Sequence, residues 1–170
     1  MAGRLDPVFL VGFMGVGKTS IGRALARILD WDFVDLDETI EHAERRKIPQ
    51  IFREDGEAHF RRLEARVLAS LRGRLRAVVA CGGGTYAQPE CRALIDGMGR
   101  AVWLMAPLGE TLERCRGGPA RPLLRDAAQA AALYQSRLPA YRAASLRCSV
   151  QGLDPDAAAE RVAALLARPE

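Results

Sequence analysis

The residues best suited to chemistry begin at Gly12-Phe-Met-Gly-Val-Gly17-Lys18-Thr19, a complete GxxxxGK[ST] spacing that runs on into Ser20. Glycines let a backbone curl around phosphate oxygens with its N–H groups turned inward. A helix starting here adds a partial positive charge at its N-terminus. A lysine at position 18 reaches β- and γ-phosphates, and the hydroxyl of Thr19 serves a Mg²⁺ ion. The loop lies between the apolar run Pro7–Gly12 and a segment that puts Ile21, Leu25, Ile28 and Leu29 on one helical face, the order such a loop requires. The spacing implies a grip on the phosphates of a nucleoside triphosphate.

Acids at strand ends narrow the chemistry further. The run Ala77–Cys81 leads into Gly82-Gly83-Gly84, and Ala101–Met105 leads into Ala106-Pro107, with no carboxylate at either end. The chain contains no asparagine, which excludes the Asn-Lys-x-Asp guanine reader of GTPases. The acids at a strand end are Asp35 and Asp37, in Phe33-Val-Asp-Leu-Asp37. Residues two apart in a strand point the same way. Both carboxylates can therefore face the crevice at the carboxyl edge of the sheet, where ligands of such folds bind. One could hold a metal's water shell, and the other could take the proton of an acceptor hydroxyl. The plainer alternative is a pair of solvated acids, with Asp37 capping a helix over Glu38–Arg46.

These groups need elements to hold them. Short apolar runs predict strands at Pro7–Gly12, Trp31–Leu36, Ala77–Cys81, Ala101–Met105 and Leu146–Val150. Helical patterns fill Lys18–Leu29, Glu38–Arg46, Gly56–Leu71, Pro89–Met98, Leu108–Cys115 and Ala127–Ala143, the last with Pro139 expected to bend or interrupt it. Asp154-Pro155 forms an N-cap and N1 pair for a final helix reaching about Ala167. Arg116–Asp126, rich in Gly, Pro and Arg, reads as a mobile loop. Strands and helices alternate and the strands are continuously apolar, so an α/β domain with a parallel sheet covered on both faces is expected.

Composition closes off other classes. The 170 residues suit one domain spanning 1–170. With 49% hydrophobic and 27% charged residues, the chain reads as an ordinary globular protein. No apolar run approaches a membrane span, so no membrane partner is expected. The net charge of +4 is scattered, and five Phe and three Tyr offer few stacking faces, so nucleic acid is not expected as a partner. Cys81, Cys91, Cys115 and Cys148 form no CxxC pair, which suggests free thiols in a reducing cytoplasm.

The ordered set of motifs resembles the shikimate kinase family over nearly the whole chain. The resemblance is carried by the Gly-x-Met-Gly-x-Gly-Lys-Thr form of residues 12–19 followed by Ser20-Ile-Gly22. It continues through Asp35-Leu-Asp37, Ile51-Phe-Arg-Glu-Asp-Gly-Glu57 and Phe60-Arg-Arg-Leu-Glu64. Gly82-Gly83-Gly84, Arg121-Pro-Leu-Leu124 and Arg137-x-Pro-x-Tyr141 complete it. The resemblance implies a three-layer P-loop kinase fold with five parallel strands in the order 2-3-1-4-5, helices on both faces and a mobile lid. It implies Mg²⁺-dependent transfer of the γ-phosphoryl group of ATP to the 3-hydroxyl of shikimate, by a cytoplasmic monomer.

The resemblance also assigns roles. ATP falls to Gly15, Val16, Gly17, Lys18, Thr19 and Ser20, with Arg114 and Pro155 on either side of the adenine. The shikimate carboxylate falls to Arg61 and Arg137, since a carboxylate suits planar bidentate cations. The ring falls to Asp37 and to Gly82, Gly83 and Gly84. Thr19 and Asp35 serve Mg²⁺. Catalysis falls to Lys18, Asp37 and Arg121, the last carried by a lid over about 116–126. The acceptor-binding segment spans about 38–72. Basic residues are absent around Gln151–Asp154, a departure from some relatives that bears on the adenine contacts. Read as residues alone, Arg61 could serve only in helix-surface ion pairs with Glu57 and Glu64. Another small-molecule kinase, such as a gluconate kinase, or a catalytically silent nucleotide-binding module are the alternatives.

Overall fold

The computed structural model describes residues 5–116 and 126–168. Its elements run β1 (Val8–Val11), α1 (Lys18–Leu29), β2 (Asp32–Asp35), α2 (Leu36–Glu44), α3 (Ile48–Ser70), β3 (Ala77–Ala80), α4 (Pro89–Met98) and β4 (Arg100–Met105). They continue with α5 (Leu108–Arg116), α6 (Ala127–Arg142), β5 (Leu146–Ser149) and α7 (Pro155–Leu166). The five strands pair in parallel in the order β2-β3-β1-β4-β5, as the resemblance implied.

Alternation along the central strands feeds two cores. Val8, Leu10, Val78, Val102 and Leu104 pack with Leu25 of α1 and with Ala158 and Val162 of α7. Phe9, Val11, Val79, Ala101 and Trp103 pack with Leu63 and Leu68 of α3, Ile95 of α4, and Leu138 and Tyr141 of α6. A strand covered on both faces must be apolar throughout, and all four residues of β1 are fully buried. The outer strands β2 and β5 carry polar residues at exposed positions, which suits an edge.

Four differences from the sequence reading have local causes. First, β2 stops at Asp35, whose extended backbone (φ −96°, ψ 120°) makes it the N-cap of α2; its carboxylate accepts from the Glu38 N–H at 3.1 Å. Asp37 is therefore in the first turn of a helix rather than on a strand, and it is not the cap. Second, helix begins at Ile48, with Pro49 in the first turn, well before the expected start at Gly56. Third, Gly56 breaks that helix with φ 80°, ψ 171°, so it divides α3 instead of opening it. Fourth, α6 runs without interruption through Pro139. Both Pro139 and Gln135 are exposed, so the carbonyl left without a helical N–H can be met by water.

Candidate active site

In a parallel sheet of this order, connections leave β1 and β3 towards opposite faces, which opens a crevice beyond their carboxyl ends. The loop after β1 lines one side of that crevice, and Gly82–Gly84 after β3 lines the other. Gly15 takes φ 76°, and a Cβ there would lie 2.2 Å from the Thr111 carbonyl oxygen of α5. Only glycine fits that contact. The Lys18 ammonium, 8% exposed, donates to the carbonyls of Gly12 at 2.8 Å and Phe13 at 2.9 Å. No side chain bonds across the first turn of α1, and Gly17 is its N-cap.

Gly15, Gly17, Lys18, Thr19, Ser20 and Arg114 line a cavity of about 300 Å³ over this loop. Val16 does not line it; the side chain is buried in the core, and its carbonyl accepts from Arg114 Nη1 at 3.3 Å. Pro155 is exposed at the start of α7 and does not line this cavity. The turn before it does approach α5, where the Gly152 N–H donates to Glu110 at 3.4 Å. Arg121, with residues 117–125 of the expected lid, lies outside the described residues.

A second cavity, of about 630 Å³, opens between the glycine turn and α2–α3. The two cavities share Thr19, Asp35, Asp37, Gly82 and Gly83 as walls. The two aspartates thus meet at the junction, although a strand end and a helix turn deliver them rather than one strand face. The Thr19 hydroxyl donates to Asp35 Oδ2 at 2.6 Å, which puts two oxygen ligands together beside the phosphate loop. Among the described residues there is no cluster of three or more His, Cys, Asp or Glu that could hold a metal. An oxygen pair suits Mg²⁺, which keeps its waters and leans on substrate phosphates.

The glycine turn works through the space that it leaves. A Cβ on Gly84 would lie 2.7 and 2.9 Å from the two terminal nitrogens of Arg61 and 2.9 Å from Arg137 Nη2. Two guanidinium groups therefore converge on one point. A Cβ on Gly82 would lie 3.0 Å from Asp37 Oδ1 and 3.1 Å from Glu64 Oε1. Gly84→Ala should leave the melting temperature nearly unchanged, because flexible side-chain ends can give way. It should weaken binding of an anionic acceptor roughly 10- to 100-fold by displacing both cations, with nucleotide binding unchanged. Steady-state kinetics and thermal melting check this.

Arg61 does pair with Glu57 at 2.9 Å and Glu64 at 2.7 Å, as its helical spacing allowed. The Glu57 pair lies at the surface, with Glu57 54% exposed, but the Glu64 pair does not: the Arg61 side chain is 15% exposed and Glu64 is fully buried. Burial opposes the charge on Arg61, yet Glu64 and Glu57 outweigh it and hold the guanidinium above its ordinary value. Burial pulls Arg137 the other way, below its ordinary value, and Arg61 adds repulsion. Two cations held close with an open cavity in front of them form a receptor for an anion.

Three buried polar groups here were not assigned from sequence. Glu64 accepts from the Thr85 hydroxyl at 2.5 Å, and the Tyr141 hydroxyl donates to the Gly83 carbonyl. Glu64 carried a usable signal. It lies on the apolar stripe Phe60, Leu63, Val67, Leu68, where a charge needs a buried partner.

Comparisons with known proteins agree with this geometry. A family model described as shikimate kinase matches residues 14–167. A shikimate kinase of Persephonella marina is 41% identical over 149 residues, covering 87% of this chain and 91% of its own. The solved structure of the shikimate kinase from Acinetobacter baumannii in complex with shikimate has a TM-score of 0.89 at 34% identity, covering 95% of this chain and 93% of its own. A gluconokinase from Sinorhizobium meliloti reaches a TM-score of 0.60 at 20% identity, covering 98% and 94%, a likeness of fold alone.

Proposed function

The chain belongs to the shikimate kinase family, and we propose that it works by holding ATP in the smaller cavity and shikimate in the larger one. It transfers the γ-phosphoryl group of ATP to the 3-hydroxyl of shikimate, giving shikimate 3-phosphate and ADP on the way to chorismate and the aromatic amino acids. The observation that carries this division is the shared wall. Thr19, Asp35, Asp37, Gly82 and Gly83 border both cavities, so a phosphate over the loop and a hydroxyl beside Asp37 can meet.

Lys18 leans from the loop carbonyls towards the β- and γ-phosphates, with the amides of residues 15–20 around them. Arg61 and Arg137 fork the shikimate carboxylate beside Gly84, and this pins the ring so that its 3-hydroxyl faces the loop. Asp37 accepts the hydrogen bond of that hydroxyl and takes its proton as the phosphoryl group transfers. Thr19 and Asp35 would hold Mg²⁺, which when bound would supply positive charge to offset that of the phosphates. Arg121 stabilises charge on the transferring group, a role that rests on the Arg121-Pro-Leu-Leu124 motif. Arg114 packs along the adenine side of the loop. The enzyme acts as a cytoplasmic monomer: one chain walls both cavities, and its four cysteines are free thiols.

Coupled ADP release tests the reading. Turnover is expected with shikimate, not with gluconate, and only when Mg²⁺ is supplied; transfer to gluconate alone would overturn the reading. Arg61→Ala removes one charge-assisted fork, worth about 1.5–3 kcal/mol. It should raise the shikimate KM roughly 10- to 100-fold and leave the ATP KM within about twofold. A loss of ATP affinity with normal shikimate affinity would reverse the assignment of the two cavities.

A further inference from the structure

We propose that Thr85 and Tyr141 are positioning residues that fix the two substrate-binding guanidiniums to one rigid turn, Thr85 acting on Arg61 through Glu64 and Tyr141 acting on Arg137 directly. The proposal rests on the assignment of Arg61 and Arg137 to the acceptor carboxylate. Two cations that converge on a point repel each other, and long side chains have many rotamers. Something must hold them: the exposed Glu57 pairs with Arg61 from the solvent side, and the remaining holding groups, Glu64, Thr85 and Tyr141, are buried.

The turn after β3 is itself fixed. The Thr85 N–H donates to the Gly82 carbonyl at 3.2 Å, and the Thr85 carbonyl accepts from the Gln88 N–H at 3.1 Å. Thr85 is fully buried, and its hydroxyl donates to Glu64 Oε1 at 2.5 Å. That bond occupies one oxygen of a carboxylate which is itself fully buried. The other oxygen, Oε2, accepts from Arg61 Nη1 at 2.7 Å. Glu64 is thus kept from offering both oxygens to Arg61. Without the threonine hydroxyl, Oε1 would need a new donor, because a buried carboxylate oxygen without one is costly. Arg61, already bonded to Oε2 through Nη1, carries further N–H groups that could turn to supply it. A fork to Glu64 would turn the guanidinium away from the cavity.

Tyr141 is the counterpart on the other side. It is fully buried, and its hydroxyl donates to the Gly83 carbonyl of the same turn. Arg137 lies one helical turn earlier on α6 and meets the same residue, a Cβ on Gly83 falling 3.3 Å from its Nη1, and phenol oxygen and guanidinium attract each other there. The hydroxyl proton is committed to the carbonyl, so the lone pair is left to accept from the guanidinium. Burial pushes the phenol up to about 12, so the tyrosine keeps its proton at any ordinary assay pH. Both arginines are therefore referenced to Gly82–Thr85 through one buried intermediary each, and their separation is set by the turn.

Shikimate binding to the full chain without nucleotide, measured by titration calorimetry, tests this. Thr85→Val keeps the shape and removes the hydroxyl; Thr85→Ser keeps the hydroxyl; Tyr141→Phe removes the other anchor. Thr85→Val and Tyr141→Phe should each weaken shikimate binding about five- to tenfold, with the ATP KM unchanged and the shikimate KM rising more than kcat falls. Thr85→Ser should bind within about twofold of the parent chain. A purely structural threonine would lower stability without this split and without the rescue by serine. Should Thr85→Val fail to fold, Tyr141→Phe and Thr85→Ser decide: unchanged affinity in Tyr141→Phe, or equal loss in both, overturns the proposal. If the parent chain binds shikimate and all variants match it, the positioning role falls and the functional reading stands. If the parent chain binds none, both fall.

Discussion

Lys18→Ala is expected to lower kcat on the order of 10³-fold, whichever acceptor is offered. The ammonium is held by two loop carbonyls at 2.8 and 2.9 Å, so its position is set before any phosphate arrives. Preset charge does not have to reorganise during transfer, which is why removing it acts on the transition state rather than on folding. Lys18 itself lines the cavity, so water can enter in place of the lost ammonium and the melting temperature should shift only by a few degrees. Shikimate affinity measured without nucleotide should be normal, because Arg61 and Arg137 are untouched. Single-turnover kinetics with ATP and shikimate check the prediction. A variant that kept a tenth of the parent rate would show that transfer does not occur over this loop.

Asp37→Asn should lower kcat by about 10²-fold or more. An amide oxygen can still accept the hydrogen bond of the acceptor hydroxyl, so the shikimate KM should rise only a few-fold. What it cannot do is take the proton. The other acid beside Gly82, Glu64, has its oxygens engaged by Thr85 and Arg61, so it does not replace Asp37 without breaking a bond. A loss below about tenfold would restrict Asp37 to orienting the hydroxyl. Steady-state kinetics with both substrates varied separates the outcomes.

Much of this was legible in the residues. The phosphate loop declares itself because its glycines, lysine and hydroxyl are contiguous, and the chemistry needs them so. The parallel sheet follows from strands such as Val8–Val11 that are apolar on both faces. The strand order came from resemblance, since periodicity says nothing about neighbours. Asp35 and Asp37 were rightly paired but for the wrong reason. A cap residue in extended conformation looks like one more strand residue, and only the bond from Asp35 to the Glu38 N–H marks the change. The first half of α3 was missed: Pro49 sits in the first turn of a helix, and Gly56, expected to open one, joins two. Thr85 and Tyr141 were invisible as positioning groups because their partners are distant in sequence. Gly82–Gly84 stood out in the sequence as three glycines following an apolar strand, a place where another group can come close. The approach is by arginine and aspartate side chains that only the fold brings there.

The strand that launches the phosphate loop bonds only to strands much further along the chain, Val8 lying opposite Val78 on one side and Arg100 on the other. During synthesis, the segment that encodes the ATP cradle therefore emerges early, while the ladder that shapes it cannot close until β4 has left the ribosome. Nucleotide cannot help the nascent chain fold through that cradle before then, and stalled fragments ending short of Met105 should be unable to retain ATP.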